Sequence, residues 1–348
     1  MSYGQFGRPV RLLEAYKDWR DDTMLEEADG KADFPSFLYG PVRQSVFQGY
    51  SKVAPVWKRY ARVENAPDFR ESRIRGLNGL KGIGYVGDQG EYPGLQRSER
   101  PAASLIIDTY GGIYSITRQA IRNDDTGELL NRNPNDLGFA AGNFVAETII
   151  ALIESNPLAP DGTAMFTSGR GNEVTTALSE DSLADGITWM EDQSDDSGYR
   201  VRINPATLAV KTARMEAIAK RILNSTNTGT TVNWTGAAGV GSPVMDKGTI
   251  NPLMGILPVD AVVRDPFWSD SNNWYLLADP KDVPAFAVGF LDGKEEPFVG
   301  LKDPSVRAAL GSGVDPYDFE FDTIDFKVRL DLGVAAVDHR AAFRGVVA

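Results

Sequence analysis

Tyr110-Gly111-Gly112-Ile113-Tyr114-Ser115-Ile116-Thr117-Arg118-Gln119-Ala120-Ile121-Arg122-Asn123-Asp124-Asp125 joins two segments of opposite character. Before it, residues 68–117 read as a long two-stranded excursion. Residues 69–77 alternate, β-branched and aromatic residues return over 102–116, and the centre holds seven glycines within the nineteen residues 76–94. So much glycine packs no core, and a structureless loop of that length inside a compact domain is uncommon. The excursion is therefore expected to project and to be held by contacts outside its own fold. After the quoted stretch, Leu137, Ala141, Phe144, Val145, Thr148 and Leu152 fall on one stripe at three- and four-residue steps. Pro134, Asn135 and Asp136 give a start signal and Pro157 a stop, so the spacing predicts a helix over 135–155, a rod of ~30 Å.

Residues 10–27 have helical spacing, with Leu12, Leu13, Tyr16, Trp19 and Leu25 on one broad face. Residues 34–60 are rich in aromatics but interrupted by Pro35, Gly40, Pro41, Gly49 and Pro55, and read as an arm that buries its rings against something else. A second unit starts near Ser179, where Ser179, Asp181 and Ser182 cap a helix over 179–193. A strand over 199–203, the turn Asn204-Pro205 and a helix over 206–223 follow. Residues 224–251 read as a surface loop, and 258–263 and 273–277 as short strands. Near the C-terminus Val328, Leu330, Leu332 and Val334 alternate with Lys327, Arg329 and Asp331. The phase then slips to Val337, Ala341 and Phe343, which predicts a bulge or bend between Gly333 and Ala336.

Composition sets the outer bounds. The 348 residues, 42% hydrophobic and 24% charged, suffice for two or three compact units. No run is read as the ~18 to 20 apolar residues of a membrane span, and the N-terminus lacks a signal-peptide pattern, so no membrane partner and a cytosolic origin are expected. Without cysteine there is no disulfide and no thiolate metal site. A net charge of −12 argues against sequence-specific nucleic-acid binding, which draws on a basic excess. The charge is uneven: residues 43–75 hold eight Lys/Arg against three acids, either a solvated face or an arm that meets acidic neighbours or DNA.

The quoted stretch, together with Phe326-Lys327-Val328-Arg329-Leu330-Asp331-Leu332-Gly333-Val334-Ala335-Ala336-Val337-Asp338-His339-Arg340, resembles the major capsid proteins of tailed bacteriophages with the Hong Kong 97-type fold, and most closely the Mu-type head subunits. The resemblance covers roughly residues 35–348 and implies an α+β fold of five parts. These are an N-terminal arm (1–66), an extended β-hairpin (67–117), a peripheral domain with a long spine helix (118–178), an axial domain (179–314) and return strands of the peripheral domain (315–348). It implies self-assembly into hexamers and pentamers of an icosahedral shell around double-stranded DNA held without sequence preference, in a virion capsid assembled in the host cytoplasm. A portal and a decoration protein are implied partners. If Met1 is the native start, the sixty or so residues before the hairpin leave no room for a large cleaved scaffolding domain, and a separate scaffold protein is expected. Contacts between subunits are expected at Tyr85, Asp88, Glu91, Tyr92 and Pro93 of the hairpin tip and at Phe47, Tyr50, Trp57, Lys58, Arg59 and Arg62 of the arm.

Catalytic readings are weak. His339, the only histidine, sits between Asp338 and Arg340 with no Gly-x-Ser-x-Gly elbow in the chain, and reads as structural. Gly236-Ala237-Ala238-Gly239-Val240-Gly241 lacks the Gly-Lys-Ser/Thr ending of a phosphate loop. Asn123-Asp124-Asp125 and the run Asp315, Asp318, Glu320, Asp322, Asp325 offer hard oxygen ligands but not the order of a calcium loop, and read as a helix cap and a solvated strand edge. No cofactor and no metal are expected. Some shells of this family crosslink through a Lys-Asn bond; Lys81 lies in the hairpin, with no partner assignable. Two other classes remain: an encapsulin-like compartment on the same fold, whose particles would hold enzyme in place of DNA, and a soluble carboxylate enzyme, which would stay monomeric.

Overall fold

The computed structural model describes residues 34–76, 80–81, 83, 85–86, 88, 90–92, 94, 96–97, 101–123, 128–195, 198–224, 227–228, 249–250, 253, 255–302 and 321–347. In chain order, α1 (Phe34–Lys52) precedes β1 (Ala61–Ala66), β2 (Ser72–Ile74), β3 (Leu80–Lys81), β4 (Gln96–Arg97), β5 (Ala103–Leu105) and β6 (Asp108–Thr117). The helices α2 (Arg118–Asn123) and α3 (Glu128–Glu154) follow, then β7 (Glu173–Val174), α4 (Glu180–Glu191), β8 (Pro205–Val210), α5 (Ala213–Asn224), β9 (Asn227–Thr228) and β10 (Thr249–Ile250). The remainder is β: β11 (Val262–Arg264), β12 (Trp274–Ala278), β13 (Phe286–Leu291), β14 (Phe298–Leu301), β15 (Thr323–Ala336) and β16 (Ala342–Gly345). The expected α+β class is observed. The helix expected over 10–27 and most of the loop over 224–251 lie outside the described residues.

Contacts divide the protein into two units. The first takes the described residues of Met1–Ala54, Asp108–Val145 and Lys294–Leu332. Here residues Thr323 to Leu332 of β15 pair antiparallel with all ten residues of β6, and Phe326 to Arg329 pair on the other edge with β14. Buried Val46, Val299 and Val328 form the core, with Tyr39 and Leu137 packed against them. Residues 34–52, read as part of an arm interrupted by glycines and prolines, form the helix α1, with Pro41 inside it. Gly49 there and Gly142 of α3 have a packing reason. A β-carbon on Gly49 would lie 1.9 Å from the Asn135 carbonyl oxygen, and one on Gly142 only 2.8 Å from the Val53 side chain. The helix α3 also starts earlier than its sequence signals: it begins at Glu128 and carries Pro134 within it, buried.

The second unit takes the described residues of Pro55–Ile107, Ala146–Gly293 and Gly333–Ala348. Its sheet runs β11-β8-β12-β16-β7, with α4 against β16 and α5 against β11 and β8. Trp268, Trp274, Phe166, Phe286 and Phe343 are fully buried. Trp268 stacks on Tyr275 at 4.3 Å between centroids. β1 runs parallel to β13. The helix expected over 206–223 is corrected to strand β8 followed by α5, and 199–203 forms no strand beyond an isolated bridge at Arg200. β8 is bonded on both edges, to β11 and β12, and Thr207 through Val210 are all buried; a run covered on both faces shows neither period in sequence. The capping box at Ser179 and Ser182 starts α4 as expected.

Two further sequence expectations are modified. Residues 108–117, assigned to the hairpin, belong to β6 and its ladder with β15, so the hairpin comprises β2–β5 and β3–β4. The alternation of β15 slips at Leu332 and Gly333, both buried, as the phase predicts, yet the strand continues unbroken to Ala336. Gly333 is needed there because a β-carbon would lie 2.0 Å from the Ile106 carbonyl oxygen. Finally, Arg132–Glu154 is long and apolar enough to cross a membrane by length and composition, contrary to the sequence reading. In the protein its Val145, Ile149, Ile150 and Ile153 are no more than 1% exposed, so one face of the helix is packed inside the protein.

Candidate functional site

The hairpin is rooted at its base and bare at its tip. Ile74 of β2 and Ala103 and Leu105 of β5 are buried in one cluster with Ala66, Ile107, Ala287, Ala335 and Val337, which anchors the stem in the second unit. A β-carbon on Gly289 would lie 2.4 Å from the Leu105 side chain, so that glycine makes the seat for the stem. Beyond β3 and β4, Ile83, Tyr85 and Tyr92 are 93%, 97% and 83% exposed. Asp88 and Glu91 are exposed beside them, and Pro93 lies outside the described residues. Three large apolar side chains left this bare gain nothing by folding; at roughly 25 cal/mol per Å² of apolar surface they gain only where another surface covers them.

The arm residues divide differently. Trp57 is 3% exposed and packs against Phe290 at 6.1 Å between centroids, so its expected role as a contact between subunits is corrected: its ring is used inside the chain. Phe47 is half-buried under the Arg43 guanidinium, 5.2 Å from its centroid. Tyr50 is half-buried and donates its hydroxyl to the Glu295 carbonyl oxygen at 2.8 Å. Lys58 and Arg59 are exposed, with the Lys58 ammonium 5.6 Å from the Trp57 ring. Arg62 pairs with Glu64, Arg70 with Asp68 and Arg73 with Glu71, each two residues away. The basic excess of this stretch is thus partly answered by its own acids. Sequence reasoning missed Tyr60, whose buried hydroxyl faces Asp265 at 3.5 Å beside Trp268. Burial, then the Asp265 charge, pushes the Tyr60 hydroxyl well up, and burial pushes the Asp265 carboxyl up.

In the first unit an apolar groove of about 280 Å³ lies between α3 and the β6–β15 ladder, lined by Tyr110, Leu137, Ala141 and Phe144 among others. The pair Gly111-Gly112 shapes it. A β-carbon on Gly111 would lie 2.5 Å from the Val328 carbonyl oxygen, whereas one on Gly112 would meet nothing within 4 Å. A double glycine inside a strand was the available signal. Exposed Ile113 and Phe298 extend the apolar surface of this unit.

The remaining candidates are held in ion pairs and hydrogen bonds. His339 faces Asp161 at 3.9 Å, and Asp161 is bonded by Arg170 at 2.7 Å. Burial pushes the Asp161 carboxyl up, but hydrogen bonds from Arg170 and the Thr163 amide outweigh it and hold it below the usual range. Asp322 pairs with Arg118 at 3.1 Å. Asp325 is likewise raised by burial but held low overall by hydrogen bonds from Ser115, Thr323 and Lys302. Asp124, Asp125, Asp315, Asp318, Glu320 and 236–241 lie outside the described residues; Lys81 is placed in β3. Among the described residues no three His, Asp or Glu side chains gather as a metal site.

A protein-family model described as phage capsid protein matches residues 102–345. No curated protein matches the chain. Solved structures similar to it include one from Mycobacterium phage Adephagia, at 14% identity over 84% of this chain and 89% of that one, with a TM-score of 0.45. The capsid of cyanophage P-SCSP1u matches at 12% identity over 85% and 88%, with a TM-score of 0.47. The holo-SrpI encapsulin complex from Synechococcus elongatus matches at 10% over 85% and 88%, with a TM-score of 0.45.

Proposed function

We propose, for a chain that belongs to the phage capsid protein family, that the hairpin tip is the principal contact through which its copies join. The chain is a phage capsid protein with the Hong Kong 97-type α+β fold, a homo-oligomeric component of the virion shell. The observation that carries the proposal is the hairpin itself: a stem whose Ile74, Ala103 and Leu105 are buried and a tip whose Ile83, Tyr85 and Tyr92 are not. An element anchored at one end and apolar at the other is suited to covering a neighbour. Phe47 and Tyr50 keep partial exposure on α1 of the first unit and offer a further contact surface; in the second unit Lys58 and Arg59 are exposed and Arg62 partly so, and they offer charge for another.

In this reading the shell encloses double-stranded DNA. A net charge of −12 favours a lining that tolerates phosphates without gripping them, so binding by free subunits is weak, blind to sequence and lost with salt. A scaffold protein and a portal complete assembly in the host cytoplasm, a decoration protein covers the outer surface, and the role is structural, not catalytic. Within that family we place the chain with the Mu-type head subunits, on the likeness carried by residues 110–125 and 326–340.

Electron microscopy of the purified protein expressed with its neighbouring phage genes tests this. Closed icosahedral particles holding DNA are expected from the wild type, and replacing residues 79–94 by a short turn leaves a folded subunit without particles. Particles that hold protein cargo instead of DNA point to a compartment shell. A subunit that stays monomeric under every condition refutes the proposal.

A further inference from the structure

The sheet of the second unit carries two helices of opposite charge on one face. α4 covers its β16 end, where a β-carbon on Gly186 would meet the Phe343 ring at 3.1 Å and Leu276 at 3.4 Å. α5 covers the β11 end, where Glu216 pairs with Arg264 at 2.9 Å. The register puts both helices on the same side. Arg264 is opposite Val210, Val210 is opposite Trp274, and Trp274 and Leu276 lie two residues apart on β12, so all four side chains leave the same face.

Between residues 180 and 192 the chain has Glu180, Asp181, Asp185, Glu191 and Asp192 and no Lys or Arg. Between 211 and 221 it has Lys211, Arg214, Lys220 and Arg221 against Glu216 alone. Glu216 is committed to Lys220 and Arg264, and hydrogen bonds from Lys220 first of all hold its carboxyl low. Asp192 pairs with Arg200, both well exposed. Exposed Asp181, Asp185, Arg214 and Arg221 make no ion pair among the described residues, although an opposite charge stands on the next helix of the same face. Arg214 and Arg221 are seven residues apart, about 10.5 Å of helix, and Asp185 and Asp192 have the same separation. The two stripes therefore match in sign and spacing without meeting inside one chain.

We infer that the acidic stripe of α4 docks on the basic stripe of α5 in a second copy of this chain. A contact between unlike faces repeats head to tail and closes into a ring when the rotation allows. The inference rests on the shell reading and adds to it the surfaces that set one subunit against the next. Charged contacts of this kind fix partner, register and rate of encounter more than they add affinity, and they weaken as salt shortens the screening length to ~3 Å near 1 M.

The test uses the full chain with two charge reversals, Asp185→Lys with Asp192→Lys and Arg214→Glu with Arg221→Glu. Circular dichroism and thermal melts first establish that both variants fold. Each alone is expected to cut the yield of rings and shells about tenfold or more near 0.1 M salt, since like charges then face each other. Mixed in equal amounts, the two variants are expected to form rings of even number, in which they alternate so that every contact pairs opposite charges. Rings of odd number cannot alternate and stay depleted. Variants that assemble like the wild type, or a mixture no better than its components, overturn the inference while leaving the shell reading standing. Loss of DNA retention by the Arg214→Glu, Arg221→Glu chain with assembly intact assigns α5 to a polyanion and also overturns it. Failure of the wild type itself to form particles is a failure of the shell reading.

Discussion

Gly138 of α3 lies so close to α1 that a β-carbon on it would sit 1.9 Å from the carbonyl oxygen of Val46. Gly49 makes the reciprocal approach to Asn135. The two helices therefore cross backbone against backbone, and neither position has room for a methyl group. Gly138→Ala is expected to lower stability by about 2–3 kcal/mol, as overpacking at an unyielding contact does. Gly40→Ala on α1 is the control. A β-carbon there meets nothing within 4 Å, so it is expected to leave stability unchanged or raise it by up to ~1 kcal/mol. Urea denaturation of both variants decides the point.

Asp338 and Arg340 form an ion pair in which neither residue is more than 2% exposed. The guanidinium bonds the carboxylate at 2.7 and 3.1 Å and reaches the Ser194 carbonyl oxygen at 3.1 Å. Arg340→Met strands a buried carboxylate and is expected to cost about 3–5 kcal/mol. Combining it with Asp338→Asn removes the stranded charge and is expected to recover part of the loss. A double-mutant cycle measured by thermal unfolding separates the coupling from the packing.

Tyr85→Ser with Tyr92→Ser changes side chains that touch almost nothing in the subunit. Stability is expected to stay within about 0.5 kcal/mol of wild type, while particle yield in electron micrographs collapses. Normal particles from this variant would remove the tip from assembly.

The Tyr50 hydroxyl is pushed up to about 12 by burial and then by the charges of Glu295 and Glu296. An acid whose folded pKa exceeds its unfolded value of about 10 keeps its proton in the folded state after the unfolded chain has lost it. Stability is therefore complete below pH ~10 and falls as pH rises from there toward 12. Tyr275, also pushed up to about 12 and chiefly by burial, adds to the same fall. Tyr50→Phe is expected to be about 1 kcal/mol less stable near pH 8, where it lacks the bond to Glu295, and to show a shallower alkaline decline. Chemical denaturation at a series of pH values reads both effects.

The sequence was most legible where one residue's neighbours in space are also its neighbours in the chain. Ser179 and Ser182 cap each other three residues apart, and their pattern located α4. Val328, Leu330 and Leu332 alternate because β15 presents one face to buried surroundings up to Leu332. Reading failed where distant partners decide. Leu208 and Ala209 look like helix until β11 and β12 bracket them, and Gly40, Pro41 and Gly49 look like an arm until α3 needs a glycine at the crossing. The same holds for the site. Tyr85 and Tyr92 stood out because aromatics amid glycines have nothing local to pack on, whereas Trp57 looked equally available and is covered by Phe290, 233 positions later. The stripes of α4 and α5 drew no reading from the sequence, since only the sheet beneath sets them side by side.

Tyr39 and Tyr50 fasten α1 by donating their hydroxyls to the carbonyl oxygens of Val299 and Glu295, at 2.9 and 2.8 Å. Both acceptors belong to the main chain, so no side chain at 295 or 299 has to be kept for the latch to close. The two phenols stand eleven residues apart, three turns of helix, and that interval together with the course of β14 is all the latch specifies. Saturation mutagenesis should accordingly find wide tolerance at 295, 296 and 298, whereas Val299, buried against Val46 and Val328, should accept only apolar side chains of similar size, a demand the core makes and the latch does not. At Tyr39 and Tyr50 even phenylalanine should be selected against, a division of freedom in which the lock may drift through sequence space and the keys may not.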